Sequence, residues 1–185
     1  MADGTMMTLM QMMMMSPTTT PSTTPATTTK MTVITPTPCV PRCPDGFMQL
    51  PDTSVSPKCF RAGGSPATFL QALVECSRTL NAYLWCPGSL AEDEAVRSKF
   101  QLGTNTVKTG CNDLDRKDSF MCVGSKRTCN PKRPPYGEGD SSTSTSKRCV
   151  DIEYDMKRKD KRKWSIVYCN DKKVFVCEVP IIPCP

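Results

Sequence analysis

The chain has 185 residues and a formal net charge of +6, and it contains twelve cysteines and no histidine. The lack of histidine removes the usual general base and the commonest zinc ligand, which argues against most hydrolytic and zinc-dependent chemistry. A dense and even cysteine count is typical of an oxidised, secreted domain. The weak positive charge favours polyanionic partners over cationic ones but identifies none of them.

The first 38 residues contain no Cys, Trp, Tyr or Phe and cannot form a core. An apolar, Met-rich run at 6–15 has the length of a signal-peptide core but lacks a basic segment before it, so its role stays open. It is too short to cross a bilayer. The Thr/Pro-rich stretch that follows is typical of O-glycosylated stalks and equally of plain linkers. We predict a low-complexity stalk or linker at 1–38, one domain at 39–185, and no transmembrane segment.

Two helices are predicted in the first half of the domain, near 66–80 and 91–101. Ser65 is expected to cap the first helix before Pro66, and apolar residues follow at helical spacing. The second helix has acidic residues in its first turn and basic residues in its last, which suits the helix dipole. Strands are predicted at 149–152 and from Trp164 to Glu178.

Short motifs occur in a fixed order between residues 43 and 179. They are Cys43-Pro44-Asp45-Gly46-Phe47, Cys59-Phe60, Gly88-Ser89-Leu90-Ala91, Gly110-Cys111-Asn112-Asp113-Leu114, Trp164 with Cys169, and Phe175-Val176-Cys177-Glu178. Together they resemble the long form of the C-type lectin-like domain. The resemblance implies a disulfide-rich α+β fold, with two helices packed on small antiparallel sheets and a long loop region. An unrelated disulfide-rich domain is the alternative.

The resemblance also implies three disulfides, Cys43–Cys59, Cys76–Cys177 and Cys149–Cys169. Six cysteines remain, and spacing does not fix their pairing. A turn centred on Arg116-Lys117 would set Cys111 opposite Cys122, which favours a Cys111–Cys122 bridge. The two ends of this fold lie close together, which favours Cys39–Cys184 and leaves Cys86–Cys129.

Neither catalysis nor zinc binding is predicted. The extra cysteines form no CxxC pairs of the kind that zinc sites use, and no histidine is present to activate a thiol. The chain has no Gly-rich phosphate loop and no recognisable nucleophile context, so we predict no catalytic residues and no enzymatic activity.

Sugar-binding members of the resembled family hold a calcium ion, and that site is expected to be degraded here. Glu138 and Asp140 keep oxygen donors where the family has Glu-Pro-Asn, but Gly139 replaces the proline. Lys147-Arg148 replaces an acidic ligand near Cys149, and two further ligand positions carry Ser165 and Ile166. Since calcium requires six to eight oxygen ligands, we expect no calcium, no other metal and no cofactor.

A basic run lies between the last predicted strands and consists of Lys157, Arg158, Lys159, Lys161, Arg162 and Lys163, interrupted by Asp160. Such a run attracts sulfated or sialylated glycans, acidic proteins or anionic membranes. A solvated hairpin tip and a protease processing site are the alternatives. The run has no aromatic residue for base stacking, so no nucleic acid partner is predicted.

These observations predict a secreted, non-enzymatic recognition module that binds carbohydrate or protein without calcium, with anionic glycans as one expected ligand class. The candidate ligand residues are Glu138, Asp140 and the six cations of the basic run. The alternative is a structural component of an extracellular matrix or coat, with no dedicated sugar ligand.

Overall fold

The computed structural model describes residues 40–157 and 161–184 of the chain. The predicted stalk at 1–38 therefore lies outside the described residues. Within the described part, no helix is both long and apolar enough to span a membrane. The elements in chain order are β1 (Met48–Gln49), β2 (Lys58–Ala62), α1 (Phe69–Ser77), β3 (Tyr83–Leu84), α2 (Leu90–Lys99), β4 (Val107–Asn112), β5 (Met121–Cys122), β6 (Cys149–Tyr154), β7 (Arg162–Val167) and β8 (Val174–Pro180).

The strands form one sheet in the order β1-β2-β8-β4-β6-β7, with β3 added to β8 and β5 added to β4. The last strand, β8, lies between β2 and β4, so the end of the chain completes the middle of the sheet. Strands β4 and β8 run parallel, whereas the other pairs are antiparallel. The predicted α+β class is confirmed, but the sheet is mixed instead of a set of small antiparallel sheets.

The first helix starts later than the sequence pattern predicted. Ala67 forms a β-bridge with Lys173, with two backbone hydrogen bonds of 3.0 and 3.1 Å, so the chain is still extended at this point. Thr68 is the N-cap, and its side chain exchanges hydrogen bonds with Gln71 in a capping box. The predicted Ser65 cap is therefore wrong. The second helix agrees with its prediction to within two residues, with Ser89 as N-cap.

Five disulfides are present among the described residues, and three of them are the bridges that the resemblance implied: Cys43–Cys59, Cys76–Cys177 and Cys149–Cys169. Cys76 and Cys177 are fully buried and join α1 to β8 across a sequence separation of 101. Closing a loop of that length is nominally worth about 4–5 kcal/mol in the chain-entropy model.

The predicted Cys111–Cys122 and Cys86–Cys129 bridges are wrong, because the structure contains Cys86–Cys122 and Cys111–Cys129. Cys111 does face Cys122 across β4 and β5, as predicted. However, the chain after β5 folds back, with the N–H of Cys129 donating to the Phe120 carbonyl at 3.1 Å, and this return brings Cys129 to Cys111.

The two ends of the described domain lie side by side, as the resemblance implied. Arg42 and Ile182 form an antiparallel bridge, with backbone hydrogen bonds of 3.2 and 2.9 Å. The predicted Cys39–Cys184 bridge includes Cys39, which lies outside the described residues.

Candidate functional site

The loop that the resemblance assigns to ligand binding, residues 123–148, packs along the outer edge of β7. The N–H of Glu138 donates to the Arg162 carbonyl at 3.0 Å, and the N–H of Trp164 donates to the Glu138 carbonyl at 2.8 Å. The backbone of Glu138 therefore extends the sheet, while its side chain is exposed.

Asp140 anchors the same loop to β7 through its carboxylate. One oxygen accepts the N–H of Ser142 at 2.7 Å, and the other accepts the N–H of Ile166 at 2.8 Å. Both oxygens therefore accept backbone hydrogen bonds that hold the loop against β7. This is the position at which the resemblance implied a calcium ligand.

Gly139 is required by a close approach of two backbone segments. A Cβ atom at this position would lie 2.6 Å from the Lys132 carbonyl oxygen and 2.8 Å from that of Pro131. Real Cβ atoms essentially never approach so closely. The glycine that replaces the family's proline is therefore fixed by packing within the loop, and a proline does not fit there without a backbone shift.

The two cations before β6 have different partners. The guanidinium of Arg148 donates to the carboxylate of Asp113 at 2.6 Å, and Asp113 is only 3% exposed. The ammonium of Lys147 lies 5.7 Å from the ring centroid of Tyr168, which is 49% exposed. Arg148 thus closes the base of the loop, whereas Lys147 and Tyr168 present a cation and an aromatic ring at the surface.

Ser165 and Ile166 are both buried within β7. Ser165 faces Asp151 across the β6–β7 ladder. The Asp151 carboxylate accepts a hydrogen bond from the Lys108 ammonium at 3.0 Å, and neither side chain is exposed. Burial raises the pKa of Asp151 to about 6, although Lys108 opposes the effect. The hydrophobic pattern of the sequence did not predict this ion pair, because charged residues are mostly exposed and a buried one cannot be recognised from the pattern.

The surface formed by the loop and its neighbours is predominantly cationic. A shallow depression is bounded by four cationic side chains and by the hydroxyl-bearing residues 142–145. Its two carboxylates are Asp113, already paired with Arg148, and Asp118. We call this surface the long-loop face; its cations are Lys117, Lys132, Lys147 and Arg148.

The basic run is not a uniform surface. Lys157 and Lys161 are exposed and Lys163 is half-buried, while Arg158 and Lys159 lie outside the described residues. Arg162 is only 4% exposed, and its guanidinium is bonded to the buried carboxylate of Asp93 in α2. The burial of Arg162 therefore corrects the prediction that it is a surface ligand residue.

The exposed tip of the run lies at the opposite end of the β6–β7 ladder from Arg148. Tyr154 pairs with Arg162 at one end of the β6–β7 ladder, and Cys149 pairs with Val167 at the other. Five residue steps correspond to roughly 17 Å along the strands. The sequence predicts that the run lies beside the expected ligand face. Lys163 does adjoin the loop through its bridge with Glu138, whereas Lys161 lies beyond the Tyr154–Arg162 end of the ladder.

A family model described as the Lectin C-type domain matches residues 65–179, which is more than half of the chain. The chain belongs to the C-type lectin domain family. A search of curated proteins found no match.

Solved structures of C-type lectin domains have the same fold. The domain of cow CD23, in a structure determined in the presence of an oligosaccharide, has a TM-score of 0.58 at 18% identity, covering 78% of this chain and all of that one. Human lithostathine has a TM-score of 0.55 at 22% identity, covering 75% of this chain and 90% of that one. Murine dendritic cell inhibitory receptor 2, in complex with an N-glycan, has a TM-score of 0.55 at 21% identity, covering 75% of this chain and 98% of that one.

Proposed function

We propose that this C-type lectin domain is a secreted, non-enzymatic recognition module that binds anionic glycans through the long-loop face without calcium. Membership of the family supports carbohydrate or protein recognition as the general activity. The specificity for anionic glycans is supported by the cationic depression beside residues 142–145. Sulfate or carboxylate groups of a glycan would pair with Lys117, Lys132 and Lys147, and the hydroxyl-bearing residues would bind the sugar oxygens.

The exposed ring of Tyr168 supports a sugar ligand on this face. It lies under the ammonium of Lys147, so a ring that can pack against a sugar and a cation that can pair with its acidic group are neighbours. Two structural relatives are described with carbohydrate, an N-glycan on the murine receptor and an oligosaccharide with cow CD23. Glycan binding is therefore compatible with the fold, and the charge of this face selects the class of glycan.

The loop offers too few free oxygen ligands for a calcium ion. Calcium takes six to eight oxygen ligands. Of the positions that the resemblance assigns to its ligands, Glu138 and Asp140 carry carboxylates, and Asp140 already accepts two backbone N–H groups. Lys147 brings a positive charge to the position of a further ligand, and like charges repel a divalent ion.

A glycan array with and without a chelator tests this function. We expect sulfated or sialylated glycans to bind, neutral glycans to bind weakly or not at all, and the chelator to leave the pattern unchanged. Lys147→Ser should weaken binding, whereas Lys172→Ser, at an exposed lysine outside the face, should not. Chelator-sensitive binding of neutral glycans would contradict the proposal. No glycan binding together with concentration-dependent self-assembly would favour a structural matrix component.

A further inference from the structure

A second cleft lies between the turn after β5 and the strands β2 and β8. Its volume is about 620 Å³, within the range of small-molecule sites. Its walls are largely apolar and include Pro57, Tyr83, Val179, Pro180 and Ile181. None of the residues that line it belongs to the long-loop face.

Two cations line this cleft, Lys58 and Arg127, and Arg127 is held in place by backbone carbonyls. Its guanidinium donates to the carbonyls of Cys86 and Pro87 at 2.5 and 3.2 Å. Its own carbonyl accepts the N–H of Cys122 at 2.8 Å. The Cys86–Cys122 disulfide joins the two segments that make these contacts. The guanidinium is therefore positioned before any ligand arrives, which reduces the entropy lost on binding.

Arg127 has no acidic partner at ion-pair distance among the described residues, unlike the four arginines that the core and the loop base engage. Arg61, Arg97, Arg148 and Arg162 each form an ion pair with a carboxylate. Among the described residues, none of the ion pairs found involves Arg127. The guanidinium has five N–H donors, and the two carbonyls use only part of them.

The acid at the base of the cleft does not neutralise Arg127. Glu178 is buried, and its carboxylate accepts a hydrogen bond from the Lys58 ammonium at 2.6 Å. Burial raises the pKa of Glu178, while Lys58 and, to a smaller extent, Arg127 lower it. Lys58 also pairs with Glu92 at 3.4 Å, so this lysine is engaged by two carboxylates. Among the described residues that line the cleft, Arg127 is the cation with no carboxylate at ion-pair distance, and its remaining N–H donors are available to a ligand.

The turn that carries Arg127 lies flat on one wall. Gly124 has a φ of +79°, and a Cβ atom there would lie 2.2 Å from the ring of Tyr83. Only glycine permits this approach, which presses the turn against the ring. Tyr83 is consequently a fixed part of the wall.

We propose that this cleft binds a small amphipathic organic anion, whose carboxylate or sulfonate group pairs with Arg127 while its apolar body packs against Tyr83, Pro180 and Ile181. A guanidinium recognises such groups by paired, charge-assisted hydrogen bonds. The volume of the cleft, together with one lining cation that is positioned but not in an ion pair, favours a small molecule as its occupant. This site is independent of the proposed glycan-binding face.

Fluorescence titration of the full-length, oxidised protein with anilinonaphthalene sulfonate tests the proposal. Phenylnaphthylamine, which lacks the sulfonate, is the matched neutral probe. We expect saturable binding of the sulfonate at one site. Arg127→Met should weaken it by about tenfold or more, while binding of the neutral probe changes by less than about twofold. Lys126→Met removes a neighbouring exposed charge and should leave both titrations unchanged.

Ser125→Glu is a second variant that keeps Arg127 and places a carboxylate beside it. It should weaken the binding of the sulfonate without removing the guanidinium. Near-ultraviolet circular dichroism and disulfide mapping establish that the Arg127→Met and Ser125→Glu variants are folded. Unchanged sulfonate binding in folded Arg127→Met, equal losses in Arg127→Met and Lys126→Met, or equal losses for both probes would overturn the proposal.

Discussion

Each end of the β6–β7 ladder carries a cluster of cations in the sequence, but within each cluster the arginine and the lysines have different surroundings in the fold. At the Cys149–Val167 end, Arg148 pairs with Asp113 and the lysines around it face solvent across a hydroxyl-lined depression. At the Tyr154–Arg162 end, Arg162 reaches a carboxylate 69 residues away in α2. At both ends the arginine is bound to a buried aspartate, while exposed lysines supply the surface charge. Cations that are consecutive in the sequence therefore do not form one continuous charged surface.

The first test distinguishes the cations of the basic run from one another. Arg162→Met should lower the free energy of unfolding by about 3 kcal/mol, because it leaves the buried Asp93 with one partner fewer. Lys161→Met, at the exposed neighbour, should change it by less than about 0.5 kcal/mol. Urea unfolding of the oxidised protein measures both. Equal effects of the two substitutions would contradict the claim that Arg162 is buried and stabilising while Lys161 is exposed and contributes little.

The middle of the ladder gives a second test, because Lys108 and Asp151 are buried there as a pair. Lys108→Met alone should cost about 3–5 kcal/mol, since it leaves an uncompensated buried carboxylate. The double variant Lys108→Met/Asp151→Leu should recover most of that loss. If the double variant loses as much unfolding free energy as the two single variants together, the two side chains act independently.

The raised pKa of Asp151 predicts that the free energy of unfolding depends on pH. Its folded pKa of about 6 lies above the ordinary value of an unfolded aspartate, about 3.9. The folded state therefore retains the proton to higher pH, and this group stabilises the fold increasingly as the pH falls from about 7 to about 4. The nominal contribution is about 3 kcal/mol. Unfolding free energies of the wild type and the double variant across this range should diverge by a similar amount, and parallel curves would contradict the assignment.

The smallest expected effect concerns calcium at the long-loop end. A ligand stabilises a protein by RT ln(1 + [L]/Kd), so 1 mM calcium with a Kd above about 10 mM adds less than about 0.1 kcal/mol. Thermal unfolding with and without 1 mM calcium should therefore superimpose. An increase of several degrees would show that the residues in place of the expected ligands still bind the ion, or that another site does.

Local sequence signals predicted the framework well and the contacts between distant segments poorly. The α2 helix was predictable from the charges at its two ends, which act within one turn. The start of α1 was not, because the bridge between Ala67 and Lys173 keeps the preceding residues extended.

Three disulfides followed from the family resemblance, but two did not: Cys86–Cys122, which joins the segment after β3 to β5, and Cys111–Cys129, which joins β4 to the long loop. Their pairing depends on the return of the chain that brings Cys129 to Cys111. The position of Arg127 depends in turn on the Cys86 segment. Such contacts have no periodic pattern, and only the assembled structure brings their residues together.

The central claim is that the long-loop face, and not the hairpin tip, binds anionic glycans. Two variants that each remove three lysine charges test it directly: Lys117, Lys132 and Lys147 to Ser on the face, and Lys157, Lys161 and Lys163 to Ser at the tip. Retention on immobilised heparin is measured with a chelator present. The face variant should lose retention at about 0.15 M salt, while the tip variant elutes with the wild type. Loss of retention in the tip variant alone would contradict the account.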